Sequence, residues 1–364
     1  MLWHTVCLNQ YKVMKSNIIQ ANMKMRAAVC HGYRILEVIE RDVPQISDGY
    51  ALVQVSNCGI SKMDVASYTG ENPLVQLPRI LGREICGKVK KLVPNQDGRI
   101  DLGTKVLVNP IISCGNCQQC LAGRQNHCEN LKLIGLDIDG GFAEFVDVPI
   151  ENLHPLPEDV NLERHILAFP MSMAHHMVSR IDFSDVDYIL IMGSGPVGLL
   201  SGLNLMRRKD IQVDIIDTNS FRLNIARDLG LFCIDGRQNQ IQNIIKRRCS
   251  PGKEGPDVII ETTGNLDFLN LAVQLVRIQG QIIVSGKGPT DASFDFLTLV
   301  EREISLTGSS MYVQEDLSHS ISEISNRGID HGTLITHRLP LEGVSEGIRI
   351  LESVEETMKI IISM

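Results

Sequence analysis

Two textures of apolar and polar positions divide the chain. From Met25 to about Pro157, short runs such as Ala51-Leu52-Val53-Gln54-Val55, Thr104-Lys105-Val106-Leu107-Val108 and Gly141-Phe142-Ala143-Glu144-Phe145-Val146 alternate and are broken by Gly, Asp, Asn and Pro. Alternation puts every second side chain on one face, so this half is predicted to be strand-rich. After Pro170, apolar strands alternate with helical stretches: Tyr188 to Met192, a glycine turn, a helix from Val197 to Arg207, a strand from Val213 to Ile216 and a helix from Ser220 to Leu229. Further strands are expected at 257–260, 280–284 and 304–306. Strand-helix alternation predicts a doubly wound parallel sheet of the α/β class. Strand and helix pieces return from Leu334 to Met364, too few for a core of their own, so the tail is expected to fold back onto the first domain. The organisation read from these patterns is an extension over 1–24, a strand-rich domain over 25–170, a nucleotide domain over 171–308 and a return over 309–364.

Gly193-Ser194-Gly195-Pro196-Val197-Gly198 lies between a buried strand and a helix. There the first glycine permits the turn, the second lets backbone N–H groups approach a pyrophosphate and the third packs helix on strand. Asp217 closes the next strand, 19 positions after Gly198. An acidic residue there accepts the ribose diol of an adenosine and repels a 2′-phosphate, which favours NAD(H) over NADP(H). Arg222 is placed beside the adenine or as a solvated helix residue. The competing reading of the whole motif is a glycine turn in an unliganded sheet.

Four of the ten cysteines stand as Cys114-x2-Cys117-x2-Cys120-x7-Cys128 in a Gly/Asn/Gln-rich loop. Four thiolates at that spacing converge on one zinc and close its coordination, so the metal would staple a lobe over about 110–130 rather than meet substrate. An iron–sulfur centre is the alternative. The remaining cysteines are scattered and read as core packing.

Composition narrows the partners. Hydrophobic residues at 43% and charged residues at 21% of 364 give a globular chain with room for two cores, and a net charge of -8 offers no basic stripe for nucleic acid. No apolar stretch is long enough to span a bilayer. Residues 1–24 are polar and basic without the apolar run of a secretory signal. With Met14, Met23 and Met25 available, they read as a mis-called start or a frayed, disordered arm, and the location is expected to be cytoplasmic.

A four-cysteine lobe ahead of Gly193-x-Gly195-x-x-Gly198, with Leu81-Gly82-x-Glu84 and Gly87, Gly140-Gly141-Phe142-Ala143-Glu144, Glu261-Thr262-Thr263-Gly264 and Leu334-Ile335-Thr336-His337-Arg338, resembles the zinc-containing alcohol/polyol dehydrogenase branch of the medium-chain dehydrogenase/reductase superfamily. The resemblance runs from about Met25 to Met364. It implies a GroES-like catalytic domain, a Rossmann NAD-binding domain, a cleft between them, a small-molecule alcohol or carbonyl substrate and homodimers or homotetramers. Family members hold a catalytic zinc by a Cys after Gly-Ile, a His in Gly-His-Glu and a Glu or Cys before a later helix. Here those positions carry Ser61, Arg83 and Phe169, with Met63 and Ala66 where a hydroxyl and a His are expected. Thiolate, imidazole and carboxylate donors are missing, so the catalytic zinc is expected to be absent.

Asp64 matches the carboxylate that orients the zinc-binding His in the family. Two roles for Arg83 follow: an ion pair with Asp64 or Glu84 that fills the hole, or a stand-in for the metal that polarises a carbonyl. Lys62 matches a basic residue set against the coenzyme pyrophosphate. His175 is read as a proton donor or a satisfied junction histidine, His176 matches a common family His, and Ser61 and Tyr68 are further hydroxyl donors. The function expected is an NAD(H)-dependent oxidoreductase with one structural zinc. The alternatives are reduction of an activated C=C or C=N bond without metal, a non-catalytic coenzyme-binding subunit, and a metal site rebuilt from Cys58, Cys86 or His175.

Overall fold

The computed structural model describes residues 23–93, 100–286, 288, 293–326, 331–353 and 355–364. The extension read over 1–24 lies outside the described residues up to position 22; the first strand begins at Lys24. Two compact units form: the described residues of Met1–Ile166, Ile335–Val354 and Lys359–Met364 make unit 1, and those of Leu167–Leu334 and Glu355–Met358 make unit 2.

Unit 1 opens with β1 (Lys24–Gly32), β2 (Ile35–Asp42), β3 (Tyr50–Ile60), helix α1 (Lys62–Thr69), β4 (Arg79–Ile80), β5 (Glu84–Leu92) and β6 (Lys105–Val108). It continues through β7 (Ile111–Ile112), α2 (Gln118–Leu121), β8 (Lys132–Leu133), β9 (Phe145–Pro149), β10 (Leu153–Pro155) and α3 (Leu162–His165). The apolar sides of the alternating strands meet in one core that includes Val53, Ile85, Val106, Phe142 and Val146. Gly87 is required where β5 crosses β3, because a Cβ there would stand 2.2 Å from the Gln54 carbonyl oxygen.

Unit 2 begins with α4 (Ala168–Val178) and then alternates: β11 (Tyr188–Met192), α5 (Pro196–Leu205), β12 (Gln212–Asp217), α6 (Ser220–Asp228), β13 (Phe232–Asp235), α7 (Ile241–Arg248), β14 (Val258–Glu261), α8 (Leu266–Leu275), β15 (Gln281–Val284), α9 (Phe296–Glu301), β16 (Ser305–Gly308) and α10 (Gln314–Ser325). The sheet order β13-β12-β11-β14-β15-β16 is parallel throughout, the 3-2-1-4-5-6 order of a Rossmann domain. Its central strand β11 is buried at every position, as a strand covered by helices on both faces must be. Residues 309–334, read in the sequence as part of the C-terminal return, belong to unit 2. The reason is α10, whose Asp316 and Ser320 hydrogen-bond His176 and Ser172 of α4.

The chain then re-enters unit 1 as β17 (Ile335–Pro340), α11 (Val344–Ser353) and β18 (Lys359–Ser363). Strand β18 inserts between β3 and β17, giving the order β10-β6-β5-β3-β18-β17 with β9 also on β3. No described helix is long and apolar enough to cross a membrane.

Candidate active site

The lobe between β7 and β8 has almost no regular structure, and its four sulfurs explain why it holds shape. Those of Cys114, Cys117, Cys120 and Cys128 all lie within 4.8 Å of one another, with Cys117 3.5 Å from Cys120 and 4.0 Å from Cys128. Thiolates bound at ~2.3 Å to one tetrahedral zinc stand roughly 3.8 Å apart, so the donor set fits that ion. An iron–sulfur cluster, which spreads its cysteines over several irons, fits these separations less well. Backbone N–H groups of Asn116 and Cys117 bring the Cys114 thiol down to about 6, and those of Glu129 and Cys120 lower Cys117. Burial instead lifts Cys120 to about 11.

In unit 2 the turn after β11 is built around glycine. Gly193 has φ +100, where a Cβ would lie 2.6 Å from Thr262 Oγ1, and a Cβ on Gly198 would lie 1.9 Å from the Gly193 carbonyl oxygen. In front of Gly195, by contrast, the nearest atom to a built Cβ is Arg222 Nη1 at 3.5 Å, so a phosphate can approach the backbone there. Gly195 is the N-cap of α5 and Pro196 its first residue, ahead of Val197 and Gly198, so the first N–H groups of the helix lie at this turn. Asp217 ends β12 and is held in place: Oδ2 accepts from Ser194 N at 2.6 Å and Ser194 Oγ at 2.8 Å, and Oδ1 from Asn219 N at 2.8 Å. With a single donor, Oδ1 retains acceptor capacity for a ribose hydroxyl. Arg222 is buried rather than solvated; Nε donates to the Thr357 carbonyl at 2.8 Å, and burial lowers its pKa against the opposing charge of Asp217.

In unit 1, β3 ends at Ile60 and Ser61 caps α1. The carboxylate of Asp64, in the first turn, reaches back so that Oδ2 accepts from Ser61 N at 2.8 Å and Ser61 Oγ at 2.6 Å. Oδ1 accepts from Gly82 N at 3.0 Å, tying α1 to the turn before β5. That turn needs glycine: Gly82 has φ +93, and a Cβ there would be 2.8 Å from both Cys58 Sγ and Phe142. Gly135 packs against Arg83, where a Cβ would sit 2.8 Å from Arg83 Cγ. Lys62 is exposed at the start of α1.

The expected ion pair of Arg83 with Asp64 or Glu84 is not formed. Asp64 is occupied by Ser61 and Gly82, while Glu84 opens β5, where neighbouring side chains face opposite ways, and pairs with Lys359 of β18. Lys359 is 4% exposed and also donates to the Ile60 carbonyl at 2.9 Å. Burial raises the Glu84 pKa and Lys359 opposes the rise. Among the described residues Arg83 makes no ion pair, and its Nε is buried without a hydrogen-bond partner.

With this geometry in hand, residues 47–158 match the alcohol dehydrogenase GroES-like domain and residues 196–326 the zinc-binding dehydrogenase domain, together about two thirds of the chain. The chain is a medium-chain dehydrogenase/reductase. It is an oxidoreductase of the alcohol dehydrogenase type. It is 28% identical over 323 residues to L-galactonate-5-dehydrogenase of Escherichia coli K12, covering 88% of this chain and 94% of that one. It is 26% identical over 344 residues to L-threonine 3-dehydrogenase of Rhizobium etli, covering 93% and 96%. Among solved structures, the alcohol dehydrogenase RspB of E. coli CFT073, complexed with NADH, has a TM-score of 0.84 at 26% identity, covering 94% of this chain and 99% of that one.

Other residues singled out in this dehydrogenase are engaged elsewhere. His175, read as a proton donor or a satisfied junction histidine, has Nδ1 3.0 Å from Asn204 Nδ2 and Nε2 3.2 Å from Glu323 Oε2, so both ring nitrogens face neighbours within unit 2. His176 Nδ1 meets Asp316 Oδ2 at 2.9 Å, a satisfied packing histidine. The Tyr68 hydroxyl donates to the Arg34 carbonyl at 3.1 Å. Cys58 and Cys86 are buried thiols whose pKa burial raises, and among the described residues the only set of three or more convergent His, Cys, Asp or Glu ligands is the four-cysteine one. Two residues that hold these turns in shape carry no signal in the sequence. Ser194 reads as a spacer between glycines although it donates to Asp217, and Lys359 carries no motif at all.

Proposed function

We propose that this chain is an NAD(H)-dependent oxidoreductase that exchanges a hydride with a small alcohol or carbonyl substrate, using Arg83 where relatives use a catalytic zinc. The bound coenzyme supplies or accepts the hydride at its nicotinamide. Gly193, Gly195, Pro196, Val197 and Gly198 take the pyrophosphate, Asp217 and Arg222 take the adenosine, and Lys62 adds charge for the phosphates. One zinc sits on Cys114, Cys117, Cys120 and Cys128 and serves the fold. Ser61 and Arg83 are ill-suited to holding a second zinc, one a hydroxyl whose proton goes to Asp64 and the other a cation.

The observation that carries the reading is the guanidinium of Arg83, which among the described residues makes no ion pair and has its Nε buried without an acceptor, while both nearby carboxylates are occupied. A fixed charge with a fork of donors stabilises negative charge developing on a substrate oxygen. Ser61, whose own proton points to Asp64, presents lone pairs to a substrate hydroxyl. In the oxidative direction the hydroxyl proton passes to Ser61 Oγ as the Ser61 proton passes to Asp64.

The test is hydride transfer from NADH to a panel of carbonyls, enones and imines, followed by NADH absorbance, with zinc per chain measured on the same sample. Carbonyl reduction with zinc near one per chain is expected. Transfer to enones or imines alone would make this a reductase of activated double bonds, and NADH binding with no transfer a non-catalytic subunit. Zinc near two would return metal-assisted alcohol oxidation as the leading mechanism. The chain is also read as a cytoplasmic homodimer or homotetramer. Supporting this are the free cysteines, and the open edge of β16 with exposed Leu306 together with exposed Phe296, Leu297 and Val300 on α9. Light scattering on eluted protein reads the assembly.

A further inference from the structure

Arg83 is an unusual cation for its surroundings. Its stem is clamped against Gly135, the adjoining Gly82 is fixed by Asp64, and Glu84 is pinned to Lys359, so the backbone on both sides of Arg83 is immobilised. A guanidinium carries five N–H donors and no acceptor. Here Nε is buried without a hydrogen-bond partner and, among the described residues, no carboxylate pairs with the guanidinium, so its charge is left for an anion that meets the two terminal nitrogens.

We propose that the ligand is a carboxylate of the substrate, which makes the substrate a 2-oxo acid in the reductive direction and a 2-hydroxy acid in the oxidative one. The inference rests on the reading that Arg83 faces substrate. A lone neutral carbonyl accepts at a single oxygen, whereas the coplanar carboxylate and keto oxygens of a 2-oxo acid span the guanidinium fork and take two parallel charge-assisted bonds. A phosphate is the other anion with this chemistry, but it brings more negative charge beside the buried carboxylates of Asp64 and Glu84, and phosphate recognition draws on clusters of arginines. In the reaction C2 of the acid would take a hydride from the bound coenzyme, and the keto oxygen would take the Ser61 proton, which is replaced from solvent by way of Asp64. The products are NAD⁺ and the 2-hydroxy acid.

The experiment compares 2-oxo acids of three to six carbons with the matching 2-oxo amides on the full chain loaded with NADH. The best acid is expected to exceed its amide about a hundredfold in kcat/KM. Arg83→Ala should bring that ratio to near one without altering NADH affinity, and Arg83→Lys should restore only part of it, since charge returns without the fork. Equal rates for acid and amide in the unaltered chain would overturn the inference while leaving the oxidoreductase reading intact. That comparison needs no variant to fold. Calorimetric titration of the same acids and amides reads the anion site without turnover. Tighter acid binding that Arg83→Ala abolishes would uphold the carboxylate site even if every hydride acceptor failed and the proposed reaction with it. Inorganic phosphate binding as tightly as the acid would overturn the carboxylate assignment.

Discussion

The glycine turn of unit 2 and the Arg83 turn of unit 1 solve opposite problems with similar parts. Each has a glycine with positive φ, a buried strand on one side and an aspartate that accepts from a serine backbone N–H and hydroxyl: Asp217 with Ser194, and Asp64 with Ser61. In unit 2 the arginine of the set, Arg222, donates to the Thr357 carbonyl and stands beside Asp217. In unit 1, among the described residues, Arg83 makes no ion pair and its Nε has no hydrogen-bond acceptor. The first arrangement is complete before its ligand arrives, which suits a cofactor that never varies. The second keeps its strongest donor group open, which suits recognition of a substrate by the acceptor it brings.

The comparison breaks most readily at the floor of the Arg83 turn. Lys359→Met leaves the Glu84 carboxylate buried without its partner, and a loss of about 3–5 kcal/mol in unfolding free energy is expected by urea denaturation. The pH dependence follows from the raised Glu84 pKa. A carboxyl whose folded pKa is raised binds its proton more tightly in the folded state, so its contribution to stability falls as pH rises from the ordinary carboxylate range through the folded pKa. The Lys359→Met variant should therefore recover part of its loss in acid, and Glu84→Gln added to it should recover more; a loss independent of pH would show that Glu84 is not the group responsible. A smaller effect is expected in unit 2. Asp217→Ala should weaken NADH about tenfold in a fluorescence titration and admit NADPH, while leaving the ratio of acid to amide turnover unchanged. Smallest is Ser194→Ala, which removes one hydrogen bond from Asp217 and should cost about 1 kcal/mol in NADH affinity. Loss of as much as Asp217→Ala would mean that Ser194 touches the coenzyme itself.

What could be read from the sequence tracks how local each feature is. The glycine run and the four-cysteine spacing lie within short segments, and their geometry is fixed by backbone sterics and ligand reach. In the α/β half, most strands showed as short apolar runs and the helices after β11 and β12 followed them, whereas the amphipathic helices over 241–248, 266–275, 296–301 and 314–325 gave no such run. Nor did strand β13, because at the sheet edge its leading residue, Phe232, is exposed and the run is only four residues long. The state of Arg83 was illegible for another reason. Nothing near it in sequence tells that Glu84 is claimed by Lys359 from the far end of the chain. The two readings of His175 could not be told apart for the same reason, since its neighbours Asn204 and Glu323 come from two other helices.

Strand β18 has one more consequence, for the order in which the chain can be made and folded. It occupies an interior place between β3 and β17, although it emerges from the ribosome roughly three hundred residues after β3. All of unit 2, including Glu355–Met358, precedes it in the chain and can begin to assemble during synthesis. Unit 1 must wait with the Asn57–Ile60 part of the β3 edge unpaired until that last strand arrives. The residue that opens this strand, Lys359, is also the one that neutralises Glu84, so closure of the sheet and completion of the turn beneath Arg83 occur in the same step.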